Sequence, residues 1–153
     1  MAGRIVTEEQ VTKALLSKLV ECEWDIIEYD FPQSGSGKML HINGCSSEKN
    51  KDGIIPDIVA VKNGLGLFFE NKNRVVKSDY HKIYSLINNN QYSDAIAALF
   101  KGYSIEKIFY GVGFPSIKWN KKAASNSVLV DFVAGVKEDR EIEFLYNPYN
   151  ISF

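Results

Sequence analysis

The sequence predicts an α/β fold in which a central mixed β-sheet is flanked by helices. Three observations carry that expectation: an amphipathic helix near the start, a hairpin around Asn63-Gly64, and an alternation of helix-like and strand-like segments afterwards. At 153 residues the chain fits one domain, residues 1–153, long enough to bury a core unaided. Hydrophobic residues at 45% and charged residues at 24% exclude a disordered chain. The net charge of −1 excludes binding of nucleic acid or membrane through bulk charge, so an anionic partner must meet a local patch or a metal ion. Cys22 and Cys45 lie far apart and form no zinc or disulfide framework. Met1–Glu9 lacks the apolar stretch of an export signal, and no apolar run reaches spanning length. A cytoplasmic protein with no membrane partner is therefore expected.

Each element has its own local reason. Thr7-Glu8-Glu9-Gln10 has the form of a capping box, and Val11, Leu15 and Leu19 recur at helical spacing, predicting a helix from about Glu8 to Val20. Trp24 to Phe31 is rich in aromatic and β-branched residues and reads as a strand stopped by Pro32. Gln33 to Gly53 reads as a long polar loop, of a length usually tied to function or mobility. Asp57–Val61 reads as a strand, Asn63-Gly64 as a turn of the primed type, and Leu65–Lys72 as the returning strand. Helices are expected over about Ser78–Ile87 and Gln91–Phe100, separated by Asn88-Asn89-Asn90. Ile105–Phe114, Val128–Val136 and Ile142–Tyr146 read as three further strands, with Phe109, Tyr110, Phe114, Phe132, Phe144 and Tyr146 in the core.

The chemistry concentrates on the hairpin. Side chains alternate along a strand, so Glu70 and Lys72 share a face, and the turn brings the Pro56-Asp57 end back beside them. Two carboxylates and an ammonium would then meet at one end of an apolar hairpin. Carboxylate oxygens are hard ligands suited to Mg²⁺, which keeps several waters and takes phosphate oxygens. A metal-bound water beside a lysine is placed for attack on a phosphodiester. A structural ion pair is the ordinary alternative and is worth little.

Pro56-Asp57 and Glu70-Asn71-Lys72 resemble the PD-(D/E)xK nuclease superfamily, over roughly Thr7 to Lys72. That resemblance implies a restriction endonuclease-like core and a metal-dependent phosphodiesterase site holding Mg²⁺, with Mn²⁺ able to substitute. It assigns Asp57 and Glu70 to the metal, with the backbone carbonyl of Asn71 as a further ligand and Lys72 on the attacking water. Many members add a carboxylate from the first helix; here Glu8 shares the Val11/Leu15/Leu19 face and Glu9 is turned away, while a dipole-favoured helix start is the rival role for Glu8. The stretch Glu8–Arg74 is similar to archaeal Holliday junction resolvases, including the Ser34-Gly35-Ser36 loop. The mild acidity, the polar residues between His41 and Gly53, and a longer last third rich in Tyr and Phe depart from them and point to a restriction-type endonuclease. The partner expected is DNA, and the short chain implies a homodimer or a separate recognition subunit. A junction resolvase and a catalytically idle DNA-binding module are the alternatives.

Weaker features complete the reading. Gly35-Ser36-Gly37-Lys38 fails as a phosphate loop, because Pro32 and Met39 stand where a glycine and a hydroxyl residue are needed. Ser34, Ser36 and Lys38 remain backbone-contact candidates. Gln91 resembles a Gln found after this motif in some of these nucleases. Arg74, Lys77 and Lys82 follow the site and would neutralise phosphates or form a solvated helix face. His41 and His81 are isolated. Lys118, Lys121 and Lys122 around Trp119 form a small basic, aromatic loop.

Overall fold

The computed structural model describes residues 7–30, 56–74, 77–88 and 92–153. Helix α1 (Glu8–Glu21) starts on a complete capping box, with the Gln10 N–H donating to Thr7 Oγ1 at 3.1 Å and the Thr7 N–H donating to Gln10 Oε1 at 2.9 Å. The chain then forms β1 (Asp25–Tyr29), β2 (Ile58–Lys62) and β3 (Leu65–Asn71). Positive φ angles of 50° at Asn63 and 81° at Gly64 make the β2–β3 connection the primed turn that Asn-Gly favours. Helices α2 (Lys77–Asn88) and α3 (Ser93–Leu99) lead to β4 (Lys107–Pro115). A 3₁₀ turn at Ser116–Lys118, helix α4 (Lys121–Asn126) and a second 3₁₀ turn at Ser127–Leu129 precede β5 (Phe132–Val136) and β6 (Ile142–Tyr146).

The six strands lie in the sheet in chain order, β1 to β6. The β3–β4 and β4–β5 pairs are parallel and the other three antiparallel, so the sheet is mixed, as expected. Alternation along β3 divides the core. Leu67 and Phe69 face α1, where Val11, Leu15 and Leu19 are fully buried. Phe68 faces the opposite layer, against Tyr80, Ile83 and Leu86 of α2. Each such side chain contributes about 1.5–3 kcal/mol. Among the described residues, no helix is long and apolar enough to cross a membrane.

Several boundaries move from the sequence expectation. The strand expected from Val128 begins only at Phe132, because Ser127 to Leu129 turn and Asp131 is engaged with Tyr110. The Tyr110 N–H donates to Asp131 Oδ2 at 2.9 Å, and the Asp131 N–H donates to the Tyr110 carbonyl at 2.8 Å. The expected loop around Trp119 is a 3₁₀ turn and a short helix. Pro32 and the polar loop from Gln33 to Gly53 lie outside the described residues.

The register sets where a site can form. Asn71 pairs with Gly113, so β3 and β4 end together, and the start of β2 reaches the same end of the sheet. Close packing there requires glycine: a β-carbon on Gly113 would lie 2.6 Å from Asn71 Oδ1 and 2.8 Å from Leu15 Cδ1. Gly113→Ala should therefore destabilise the fold by about 1–3 kcal/mol through overpacking. Chemical denaturation would read this as a lower midpoint with an unchanged slope.

Candidate active site

The hairpin brings its two ends together through backbone pairing. Ile58 pairs with Phe69, and the Asp57 N–H donates to the Phe69 carbonyl at 3.0 Å, which sets Asp57 beside Glu70. The Asn71 N–H then donates to Asp57 Oδ2 at 2.6 Å and fixes that carboxylate. Asn71 is fully buried, and its side-chain amide donates to Thr12 Oγ1 at 3.2 Å, tying the hairpin end to α1.

Glu70 points to the α2 layer. Its side chain is 5% exposed, and Oε1 accepts from Lys82 Nζ at 3.0 Å. Glu70 Oε2 is buried with no hydrogen-bond partner among the described residues, and so is Asp79 Oδ2 in the first turn of α2. Lys72 lies beyond the last residue of β3, so strand alternation no longer controls it. Among the described residues it pairs with Glu8, with Nζ 3.9 Å from Oε1. The expected meeting of Asp57, Glu70 and Lys72 at the hairpin end thus gains a second cation: Lys82 contacts Glu70, and Lys72 bridges toward α1. Glu9 pairs instead with Lys13 at 3.5 Å on the exposed side of the helix.

The electrostatics follow from burial. The Asp57 carboxyl is pushed from 3.8 up to about 8, first by burial and then by the Glu70 charge; Glu8 adds to it, while the Asn71 hydrogen bond and Lys72 oppose it. Glu70 is raised chiefly by burial, against the pull of Lys82. Asp79 is likewise raised by burial. Burial alone would lower the Lys82 ammonium, but the contact with Glu70 and the nearby Asp79 and Asp57 raise it. Asp57 thus feels the charges of Glu70, Glu8 and Lys72, and Glu70 those of Lys82, Asp79 and Lys72.

Among the described residues, no group of three or more His, Cys, Asp or Glu side chains stands ready to hold a metal ion. Mg²⁺ requires less, since it binds through one or two carboxylates and keeps its remaining waters. The residues fit that demand in two respects. Glu70 offers a buried oxygen with no donor among the described residues, and the Glu70 charge raises the cost of charging Asp57, a cost that a bound cation would relieve.

A narrow crevice lined by Glu70, Lys72, Arg74, Asp79, Gly113 and Phe114 opens at this point. Arg74 is exposed at its rim. Ser34, Ser36, Lys38, His41 and Gln91 lie outside the described residues, and His81 is exposed on α2. Sequence reasoning missed three contributors. Lys82, expected to neutralise phosphates or to lie on a solvated helix face, instead meets Glu70, because Asp79, Lys82 and Leu86 share the i, i+3, i+7 stripe that faces the core. Asp79 sits on that same stripe. The Asn71 side chain had no sequence signal beyond its place between Glu70 and Lys72.

The chain matches no protein-family model and no curated protein sequence.

The raised carboxyls fix the sign of a pH dependence. Below pH about 4 the folded and unfolded states both hold the Asp57 proton; toward about 8 the unfolded chain has released it and the folded protein keeps it. Metal-free stability should therefore fall as pH rises across that window and level off above it. Asp57→Asn retains an acceptor for the Asn71 N–H while removing the charge. It should flatten that slope and raise stability near pH 8 by about 1–2 kcal/mol, roughly 3–6 °C in Tm. Thermal scans of both proteins across pH 4 to 8 in EDTA would check this.

Proposed function

We propose that this protein is a Mg²⁺-dependent DNA endonuclease of restriction type, with a PD-(D/E)xK-like site made by Asp57, Glu70 and Lys72 and completed by Glu8. The observation that supports it most is the forced proximity of a half-buried carboxylate, Asp57, and a buried one, Glu70, the latter with an oxygen that has no donor among the described residues. An arrangement that disfavours its own charge is poor as a structural device and suits a site that receives a cation.

Each residue then has a defined task. Asp57 and Glu70 would hold the metal, with the Asn71 carbonyl as the third protein oxygen. The bound ion would polarise the phosphodiester and lower the pKa of the attacking water. The Asn71 N–H keeps the Asp57 carboxylate in one orientation. Lys72 Nζ, steadied by Glu8, orients the attacking water by donating to it. Glu8 offers its second oxygen to that water or to the metal's hydration shell. Attack on phosphorus in line with the 3′-oxygen leaving group would give a 5′-phosphate end. Lys82 must yield Glu70 Oε1, or share it, when the cation is held. Cutting both strands of a duplex would take a second copy or a recognition subunit.

The test is cleavage of supercoiled, linear and four-way-junction DNA with Mg²⁺ or Mn²⁺ and with EDTA. Asp57→Asn, Glu70→Gln and Lys72→Ala should each lose cleavage by about 10²–10⁴-fold. Glu8→Ala should be impaired, while Glu9→Ala, whose carboxylate faces Lys13, should match the wild type. Cutting confined to the junction would make the enzyme a resolvase with the same chemistry. Full activity in Asp57→Asn would remove the hairpin from the reaction.

A further inference from the structure

We infer that the segment Ser116–Val130 is a docking surface for duplex DNA beside the candidate active site, with Lys118, Lys121 and Lys122 on backbone phosphates and Ile117 against the groove wall. The inference rests on the nuclease reading for the identity of the partner, while the surface itself rests on separate observations.

Position comes first. β4 runs parallel to β3 with Gly113 opposite Asn71, so the chain that leaves β4 after Pro115 emerges at the sheet end that carries Asp57 and Glu70. Phe114, which lines the crevice at Glu70, stacks on Trp119 with ring centroids 6.2 Å apart and planes 19° from parallel. The segment is thus fastened to a wall of the crevice, which the exposed Arg74 also lines.

The inner side of the segment is anchored and its outer side is cationic. Ala123 is fully buried and Val130 nearly so, both in the core layer shared with α2. Asn120 caps α4, with its Oδ1 accepting from the Ala123 N–H at 2.8 Å. Outward, Lys118, Lys121 and Lys122 are exposed, and none makes an ion pair among the described residues. From Ser116 to Val130 the chain has three lysines and no carboxylate, in a protein whose net charge is −1. Lys121 and Lys122 also stand in the first turn of α4, where cations are disfavoured. Charge is concentrated here at some expense to the helix, which suits a phosphate-bearing partner.

The apolar side chains complete the match. Ile117 is 73% exposed and Val128 70% exposed, the two most exposed large hydrophobic residues described. Side chains of this kind between lysines lie well against sugars and groove walls, while the ammonium groups reach the phosphates. A six-residue helix offers too little apolar face to hold itself on a lipid surface, so the duplex is the better partner.

Fluorescence anisotropy with a labelled duplex of about 30 base pairs, in EDTA over about 50–200 mM salt, tests the surface apart from cleavage. The triple variant Lys118→Ala/Lys121→Ala/Lys122→Ala should bind at least about tenfold more weakly, with the slope of log K against log salt reduced by about 2–3. Ile117→Ser should weaken binding about threefold with the slope unchanged, because it removes no phosphate contact. Lys101→Ala/Lys107→Ala, on the side where the chain enters β4, should stay within about twofold of the wild type. A triple variant with wild-type affinity and slope overturns the surface, as does wild-type protein that prefers anionic vesicles to the duplex. Parallel Mg²⁺ cleavage separates the two ideas. Cleavage with an unaffected triple variant defeats the surface alone. Lysine-dependent binding without cleavage keeps the surface and defeats the nuclease reading, and absence of both defeats both.

Discussion

The 2.6 Å hydrogen bond from the Asn71 N–H to the Asp57 carboxylate is the constraint on which the rest of this structure depends. An N–H at the end of a strand would ordinarily find a backbone carbonyl or water. Here it is committed to a side chain, and that carboxylate is held at the mouth of the hairpin, next to Glu70. The same residue reaches α1 through Thr12, and the next N–H, from Lys72, donates to the Gly113 carbonyl at 2.9 Å. One short stretch of backbone thereby joins β2, β3, β4 and the first helix. Gly113 has no side chain because Asn71 and Leu15 already fill the space beside it.

That geometry explains why the two lysines divide their roles. Glu70 faces the α2 layer, so the cation that satisfies it comes from α2. Lys72 follows the last residue of β3, and its ammonium associates with Glu8 at the start of α1. A buried carboxylate deprived of its partner carries a large desolvation penalty. Lys82 therefore compensates Glu70, while Lys72, similarly exposed and at a longer separation from its carboxylate, stays open to solvent.

What could be read from the sequence was governed by how local its causes are. The capping box, the Val11/Leu15/Leu19 stripe and the Asn63-Gly64 turn act within a few residues, and the structure has α1 and the hairpin where they direct. Carboxylate convergence followed from the turn alone. Lys82 depends on how α2 settles over β3, and the Asn71 side chain depends on α1; neither docking has a local signature. Val128-Leu129-Val130 carries strand-like residues, yet the hydrogen bonds between Asp131 and Tyr110 delay the strand to Phe132. There tertiary contacts outweigh propensity.

The separation in sequence between the acids and their counter-charges also orders their assembly in time. Asp57 and Asn71 are only 14 residues apart, on a hairpin of a kind that closes in about 1–10 μs. Lys82 reaches Glu70 only when α2 docks on the sheet. The like-charged pair therefore forms before its compensation arrives. Salt, which screens like charges, should thus ease closure of this hairpin before α2 docks.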